Sequence, residues 1–214
     1  MIQKVRKGEE LDEVNIKKYL YKNHFITDKN SELIIEQFSN GFSNLTYLLK
    51  IEKKELVLRC PPNGAVKYGH DMSREFKVLK GLNKGFEKAP KAHLFTNDID
   101  IIGAPFYIME KIEGIILSRK EANIRNICAE DYQKIACNWL DTFVELHELD
   151  YKKMGLEDLG KPNGYVERQV KNWSKQYLRA ATEEIPESYK IMEWLVKNQP
   201  STHTYSLIHN DYKY

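Results

Sequence analysis

The sequence lacks long apolar runs, and no run approaches the roughly 20 residues that a helix needs to span a bilayer. Its first residues include lysine and glutamate and form no apolar signal-peptide core. Cysteine is scarce: Cys60, Cys128 and Cys137 are far apart and form no Cys-x-x-Cys pattern. These absences predict a soluble, cytoplasmic protein without a membrane partner, a disulfide framework or a zinc knuckle, whose thiols are reduced and mostly buried.

An excess of one charge is also absent, because 33 basic and 31 acidic residues leave a net charge of +2. A dedicated polyanion-binding face is therefore not expected. The Lys/Tyr-rich stretch 17–22 is the exception, and RNA binding there would predict salt-dependent association with polyanions. We interpret it instead as the solvated face of an amphipathic helix, so no nucleic-acid partner is expected.

What the sequence does contain is enough apolar material for a sizeable core, since 42% of its 214 residues are hydrophobic. The periodicity predicts a helix capped by Asp12, strands at 33–38, 45–51 and 55–60, a helix from Ser73, and strands at 92–96 and 105–112. Helices are predicted at 131–147, 165–181 and 189–196, and a strand-like segment at 206–208. Strands followed by helices predict an α+β fold with a boundary near residues 111–114.

Small residues between the first two predicted strands are typical of a phosphate-binding turn. Ser39, Gly41, Ser43 and Asn44 lie in this turn, and Gly41 permits a positive φ. Such a turn brings backbone N–H donors close to a triphosphate. The structural alternative is an ordinary hairpin turn.

A His-x-Asp triplet follows the strand-like segment near the end of the sequence. His209 and Asp211 match the opening of a kinase catalytic loop, in which His supports the loop backbone and Asp accepts the proton of the attacking hydroxyl. The triplet is short, and a polar turn is the alternative explanation.

Several further segments agree with this interpretation and occur in a consistent order. Together with the triplet, they resemble the aminoglycoside-phosphotransferase-like family, especially the branch related to kinase domains fused to acyl-CoA dehydrogenases. The resemblance runs from about residue 10 to the end of the sequence. It is carried by segments 38–47, 56–62, 74–79, 105–110, 146–150, 164–170 and 209–212.

The resemblance implies a protein-kinase-like fold of two lobes. Residues 1–112 would form a small ATP-binding lobe, and residues 113–214 part of a helical lobe. The implied activity is an ATP-dependent phosphotransferase that moves the γ-phosphoryl to a hydroxyl of a small metabolite, an aminoglycoside or a hydroxyacyl-type acceptor. A non-catalytic, pseudokinase-like nucleotide-binding fragment is the alternative.

Arg59 lies where related kinases place the strand lysine that grips phosphate, and Glu75 on the following helix would be its ion-pair partner. A planar guanidinium differs from a point charge, so the geometry of the grip should differ. A surface salt bridge is the alternative. The resemblance also assigns a hinge at Met109, Glu110 and Ile112, with the Glu110 carbonyl and the Ile112 N–H facing adenine.

Other polar residues are expected to have smaller roles. Arg168 and Trp173 share a predicted helix and are assigned either to the acceptor or to packing, and His147 and Asp150 are interpreted as structural. In kinases the Mg²⁺ ligands are the Asn of the pattern His-x-Asp-x-x-x-x-Asn and a second Asp on a later strand. Both ligands are expected beyond Tyr214, so we expect no metal site in this chain, little catalysis by it alone, and self-association through exposed apolar helix faces.

Overall fold

The computed structural model describes residues 2–39, 44–62, 64, 71–117, 121, 124–201 and 204–212. Over these residues the chain forms an antiparallel sheet of six strands in the order β1-β2-β3-β4-β6-β5. Three of the five described helices follow the last strand in sequence, as the α+β prediction requires. The strands are β1 Ile2–Gln3, β2 Ile34–Phe38, β3 Leu45–Ile51, β4 Lys54–Cys60, β5 Ala92–Thr96 and β6 Phe106–Glu110.

Two helices belong to the sheet region and begin at side-chain caps. Asp12 accepts a hydrogen bond from the Asn15 N–H at 2.9 Å, and Asp71 accepts one from the Arg74 N–H at 2.9 Å. These caps satisfy N–H groups that the first helical turn leaves without partners. The described helices are α1 Glu13–Lys22, α2 Met72–Leu82, α3 Ala129–Glu148, α4 Tyr165–Ala180 and α5 Pro186–Lys197.

The sheet has an apolar face and a mixed face because side chains alternate along each strand. The apolar face packs against Ile16 and Leu20 of α1 to form the main core. Tyr19 joins this side of α1, since its ring meets Phe106 edge-on at 5.3 Å and its hydroxyl donates to the Phe95 carbonyl at 3.2 Å. The Lys/Tyr-rich stretch is therefore an amphipathic helix. Strand residues of the core include Tyr47, Leu49, Leu58, Phe106 and Ile108.

The mixed face of the sheet carries a row of residues that lie opposite one another on neighbouring strands. Thr46 is in register with Arg59, and Arg59 is in register with Tyr107. Helix α2 lies over this face, where the Phe76 ring stacks on Phe95 with centroids 5.5 Å apart. The row therefore brings Arg59 and Tyr107 beneath the same helix.

A second, smaller core joins α2 to α3. It contains Leu82, Phe86, Ala89 and Leu146, with Leu207 packed against it. Gly81 of α2 contributes to a close approach, because a Cβ there would lie 2.7 Å from the Leu156 side chain. Leu207 lies two residues before His209, so this core holds the start of the His-x-Asp segment against the helices. The lobe boundary predicted at Ile112 stays a prediction, and residues 111–117 form irregular chain.

Two expectations about local structure were wrong, and one short strand was missed. Strand β1 was not predicted, since two residues are too few to show a period of two. Residues 206–208 are irregular, because Leu207 packs on the second core and no described strand pairs with the segment. Cys60 is buried, but Cys128 and Cys137 are exposed, since Leu146 is the single buried residue of α3 and its N-terminal part lies at the surface. No described helix is long and apolar enough to cross a membrane.

Candidate active site

Glu75 of α2 is the centre of a polar cluster on the mixed face of the sheet. Its Oε1 accepts a hydrogen bond from Asn44 Nδ2 at 2.9 Å, and its Oε2 accepts one from the Tyr107 hydroxyl at 2.9 Å. Arg59 Nε lies 3.0 Å from the same Oε2. The cap at Asp71 starts α2 one turn before Glu75, and strand register brings Arg59 beside Tyr107. Three other chain segments therefore meet the carboxylate that α2 presents.

The Arg59–Glu75 pair has the placement that the kinase pattern predicts, and its geometry limits its stabilising effect. The two side chains are 35% and 32% exposed, and the Nε hydrogen does not point at the carboxylate oxygen. Such a pair contributes at most about 1 kcal/mol to folding because solvent screens it. Among the described residues, Glu75 is the one polar group that the Arg59 side chain contacts. The guanidinium is therefore held near Glu75, and its terminal nitrogens make no hydrogen bond within the described part of the chain.

Tyr107 is a structural donor of the cluster that sequence analysis missed. Burial raises the pKa of the Tyr107 phenol, and the neighbouring Glu75 charge raises it further, against the opposing effect of Arg59. The phenol therefore stays protonated and donates to Glu75. From sequence, Tyr107 is one residue of an apolar strand, and only its distance of two positions from the predicted hinge hinted at a site.

The predicted phosphate turn is described at its two ends only. Ser39 lies directly after β2, and Asn44 lies directly before β3. Asn44 is 5% exposed and its amide is used to hold Glu75. Gly41 and Ser43 lie outside the described residues, so their place in the site stays a prediction.

The predicted hinge leaves the sheet at the end of β6. Met109 is in register with Val57 of β4. The Glu110 N–H donates to the Lys91 carbonyl at 2.8 Å, and the Glu110 carboxylate accepts from the Lys91 N–H at 3.1 Å. Ile112 is exposed. The adenine contacts assigned to the Glu110 carbonyl and the Ile112 N–H stay predictions.

The His-x-Asp segment is fixed against α3 by hydrogen bonds and ring contacts. His209 Nδ1 accepts the Asp211 N–H at 3.3 Å, so this histidine contacts the backbone of the segment, and its role in a catalytic loop stays a prediction. Tyr212 packs against Trp139 and Phe143 with ring centroids 4.8 and 5.0 Å apart. Its hydroxyl donates to the Trp139 carbonyl at 3.1 Å. Asp211 is exposed, so solvent and a substrate can reach it.

His147 has a more specific role than the structural one expected from sequence. Its Nε2 accepts the backbone N–H of His209 at 3.0 Å, so the neutral ring carries its proton on Nδ1. The ring also packs on Phe143, with centroids 4.0 Å apart. His147 therefore orients the segment that carries Asp211. Its position near the end of the amphipathic helix α3 was the available sequence signal.

Among the described residues, no hydrogen bond or ring contact joins the two acceptor candidates, Arg168 and Trp173, to the Glu75 cluster or to the His-x-Asp segment. The Arg168 guanidinium donates to the carbonyls of Lys161 and Asn163, so it closes the turn that precedes α4. Trp173 lines an apolar groove of about 310 Å³ between α4 and α5, together with Tyr177 and Met192. A substrate contact by Arg168 stays a prediction. Over the described residues, no three His, Cys, Asp or Glu side chains gather as a metal site.

This combination of an antiparallel sheet, a strand cation beside a helix glutamate and a supported His-x-Asp segment defines the kinase-like class of phosphotransferases. A profile of the phosphotransferase enzyme family matches residues 34–213. The chain belongs to this family. Human acyl-CoA dehydrogenase family member 11 is 35% identical over 191 residues, which cover 88% of this chain and 24% of the relative. The chain thus spans about a quarter of the length of such relatives, and the predicted family and branch are confirmed.

Solved structures support the same fold. A candidate aminoglycoside phosphotransferase from Ralstonia eutropha is 28% identical, with a TM-score of 0.74 over 90% of this chain and 55% of that one. An ethanolamine kinase from Plasmodium vivax matches with a TM-score of 0.50 over 91% of this chain and 59% of that one. At 15% identity, the second match supports the fold alone. The kinase-like α+β fold predicted from the sequence is confirmed.

Proposed function

We propose that the chain binds ATP and forms part of a phosphotransferase that moves the γ-phosphoryl group to a hydroxyl. The observation that carries this proposal is the Arg59–Glu75 pair, in which the cation of a strand lies 3.0 Å from the glutamate of the following helix. Membership of the phosphotransferase enzyme family supports it. The His-x-Asp segment would supply Asp211, the base that accepts the proton of the attacking hydroxyl.

Each group has a distinct task in this proposal. The terminal nitrogens of Arg59 hold phosphate oxygens, because a guanidinium offers several donors in a rigid fork. Asp211 accepts the proton of the attacking hydroxyl, and His209 and His147 hold the Asp211 backbone in place. ATP supplies the phosphoryl group. The described residues do not form a Mg²⁺ ligand set, so no step is assigned to a metal ion.

The proposed acceptor is an alcohol group on a small molecule. Small metabolites, aminoglycosides and hydroxyacyl thioesters all present such a group. The relatives' name, acyl-CoA dehydrogenase family member, favours testing hydroxyacyl thioesters first. The polar cluster around Glu75 is independent of the acceptor, so nucleotide binding is the direct test of the proposal.

We expect the chain to bind ATP at millimolar concentration, because Arg59 would contact the phosphates and the chain after β6 would contact adenine. Titration calorimetry with ATP and adenosine, and thermal melts in their presence, measure this binding. Transfer of labelled phosphate to a panel of hydroxyl acceptors then separates an enzyme from a nucleotide-binding fragment. No heat and no thermal stabilisation at millimolar ATP would contradict the proposal, and binding without transfer would favour the fragment.

We also propose that the chain associates with itself through α4 and α5. Neither helix has a buried residue, and Trp173 and Trp194 are 65% and 60% exposed. At about 25 cal/mol per Å², covering roughly a few hundred Å² of apolar surface would contribute several kcal/mol. A second copy of this chain can supply that cover with the same two helices.

Replacing both Trp173 and Trp194 with lysine is expected to shift the chain from oligomer to monomer in light scattering. The added charges would face each other across the shared apolar surface and would have to be desolvated. Ile99→Lys is the matched control, because Ile99 is equally exposed but lies in the turn after β5. A wild-type chain that remains monomeric at high concentration would refute the association.

A further inference from the structure

The carboxylate of Glu75 is held by neutral donors as well as by a cation. Asn44 Nδ2 donates to Oε1 and the Tyr107 hydroxyl donates to Oε2, each at 2.9 Å. Both donors are buried, with Asn44 5% and Tyr107 3% exposed. The two hydrogen bonds engage both carboxylate oxygens and fix the plane of the group. Glu75 is therefore immobilised before any ligand arrives.

This immobilisation matters because an unrestrained arginine–glutamate pair prefers a different geometry. Arginine and carboxylate commonly close a bidentate pair, in which two parallel N–H groups meet the two oxygens. In this structure Arg59 instead approaches one oxygen through Nε at 3.0 Å. Each carboxylate oxygen already accepts one hydrogen bond, Oε1 from Asn44 and Oε2 from Tyr107, so a bidentate pair with Arg59 would have to compete with both.

An arginine at this position needs a fixed glutamate partner more than a lysine does. A lysine ammonium is a compact charge that can face glutamate and phosphate together, whereas a guanidinium has an Nε side and a terminal fork. If the fork closed on Glu75, the donors best suited to phosphate would be used up. If Nε, as here, is the guanidinium nitrogen that lies beside Glu75, the fork remains for the nucleotide.

We propose that Asn44 and Tyr107 are positioning residues that prevent Arg59 from closing a bidentate pair with Glu75 and so reserve its terminal nitrogens for nucleotide phosphate. The inference rests on the proposed ATP binding. Asn44 and Tyr107 act through Glu75 and do not need to touch the ligand. The arrangement also assigns a role to the buried Tyr107 hydroxyl, which the kinase pattern leaves unassigned.

The test compares Tyr107→Phe, Asn44→Ala, Arg59→Ala and the double variant Arg59→Ala with Tyr107→Phe in the full chain. Tyr107→Phe keeps the ring beside Phe76 and removes only the hydroxyl. We expect each positioning variant to weaken ATP binding about fivefold, the change typical of one neutral hydrogen bond, and to leave adenosine binding unchanged. In the Arg59→Ala background, Tyr107→Phe should have no further effect.

Tyr47→Phe is the matched control. The Tyr47 hydroxyl is also buried and donates to the Glu9 carbonyl at 2.7 Å, but it lies on the other face of the sheet. This control should retain wild-type affinity for ATP. If Tyr107→Phe does not fold, as judged by circular dichroism, Asn44→Ala alone decides the question.

The outcomes separate this inference from the proposed function. A wild-type chain that binds no ATP overturns both. ATP binding that falls in Arg59→Ala but is unchanged in Tyr107→Phe and Asn44→Ala overturns the positioning role alone. An equal loss of adenosine binding, or additive losses in the double variant, also overturns it, because either result shows that Tyr107 acts independently of the phosphate contact.

Discussion

This chain alone is expected to transfer phosphate slowly, and replacing Asp211 with asparagine should remove a base contribution of about 10²- to 10⁴-fold and so abolish that slow transfer, with ATP affinity unchanged. Asparagine has nearly the same shape and keeps the backbone hydrogen bond to His209 Nδ1. It cannot accept the proton of the attacking hydroxyl at neutral pH. Labelled-phosphate transfer measures the rate, and calorimetry with ATP measures the affinity.

Asp158→Asn is the control for this experiment. Asp158 is an exposed carboxylate that pairs with Lys77 of α2, and removing such a surface pair has a small effect on stability. Its transfer rate should equal that of the wild type. If Asp211→Asn transfers phosphate as fast as the wild type, the assignment of Asp211 as the base is wrong.

The elements that could be predicted are those whose pattern needs no knowledge of a distant partner. Strand β3 was predicted at its observed bounds, because a β-rich apolar run between a small-residue turn and a charged turn has few alternatives. The start of α1 followed from Asp12, whose cap is a local interaction. Such features depend on residues that are close in sequence, so they can be recognised from the sequence alone.

The features that were missed depend on what covers a residue. Helix α3 has an apolar periodicity, but periodicity does not show that its N-terminal part lies at the surface, so the exposure of Cys128 and Cys137 was unexpected. Residues 206–208 are apolar enough for a strand, but a strand requires a neighbouring edge with free backbone groups. The second core uses Leu207 for packing instead.

The candidate site divides in the same way. Arg59 and Glu75 could be named from sequence because a family pattern places them, and the structure brings them to 3.0 Å. Tyr107 and His147 were missed as partners because each completes a hydrogen bond to a residue far away in the chain, to Glu75 and to His209. A family pattern identifies the groups that meet the substrate more readily than the groups that orient them.

Replacing Arg59 with alanine is expected to raise the dissociation constant for ATP about tenfold to a hundredfold, the loss typical of hydrogen bonds to a charged group. The melting temperature without ATP should change little, because the partly exposed pair with Glu75 contributes at most about 1 kcal/mol. Glu75 keeps its hydrogen bonds from Asn44 and Tyr107, so no carboxylate is left without a partner. Thermal melts with and without ATP separate the two effects.

Arg59→Lys makes this experiment sharper, because it keeps the charge and removes the fork. An ammonium reaching from β4 must share its donors between Glu75 and phosphate, so we expect an ATP affinity between those of the wild type and Arg59→Ala. Its melting temperature should equal that of the wild type. If Arg59→Ala instead lowers the melting temperature equally with and without ATP, Arg59 forms only a structural salt bridge, and the phosphate contact must be sought elsewhere on the mixed face of the sheet.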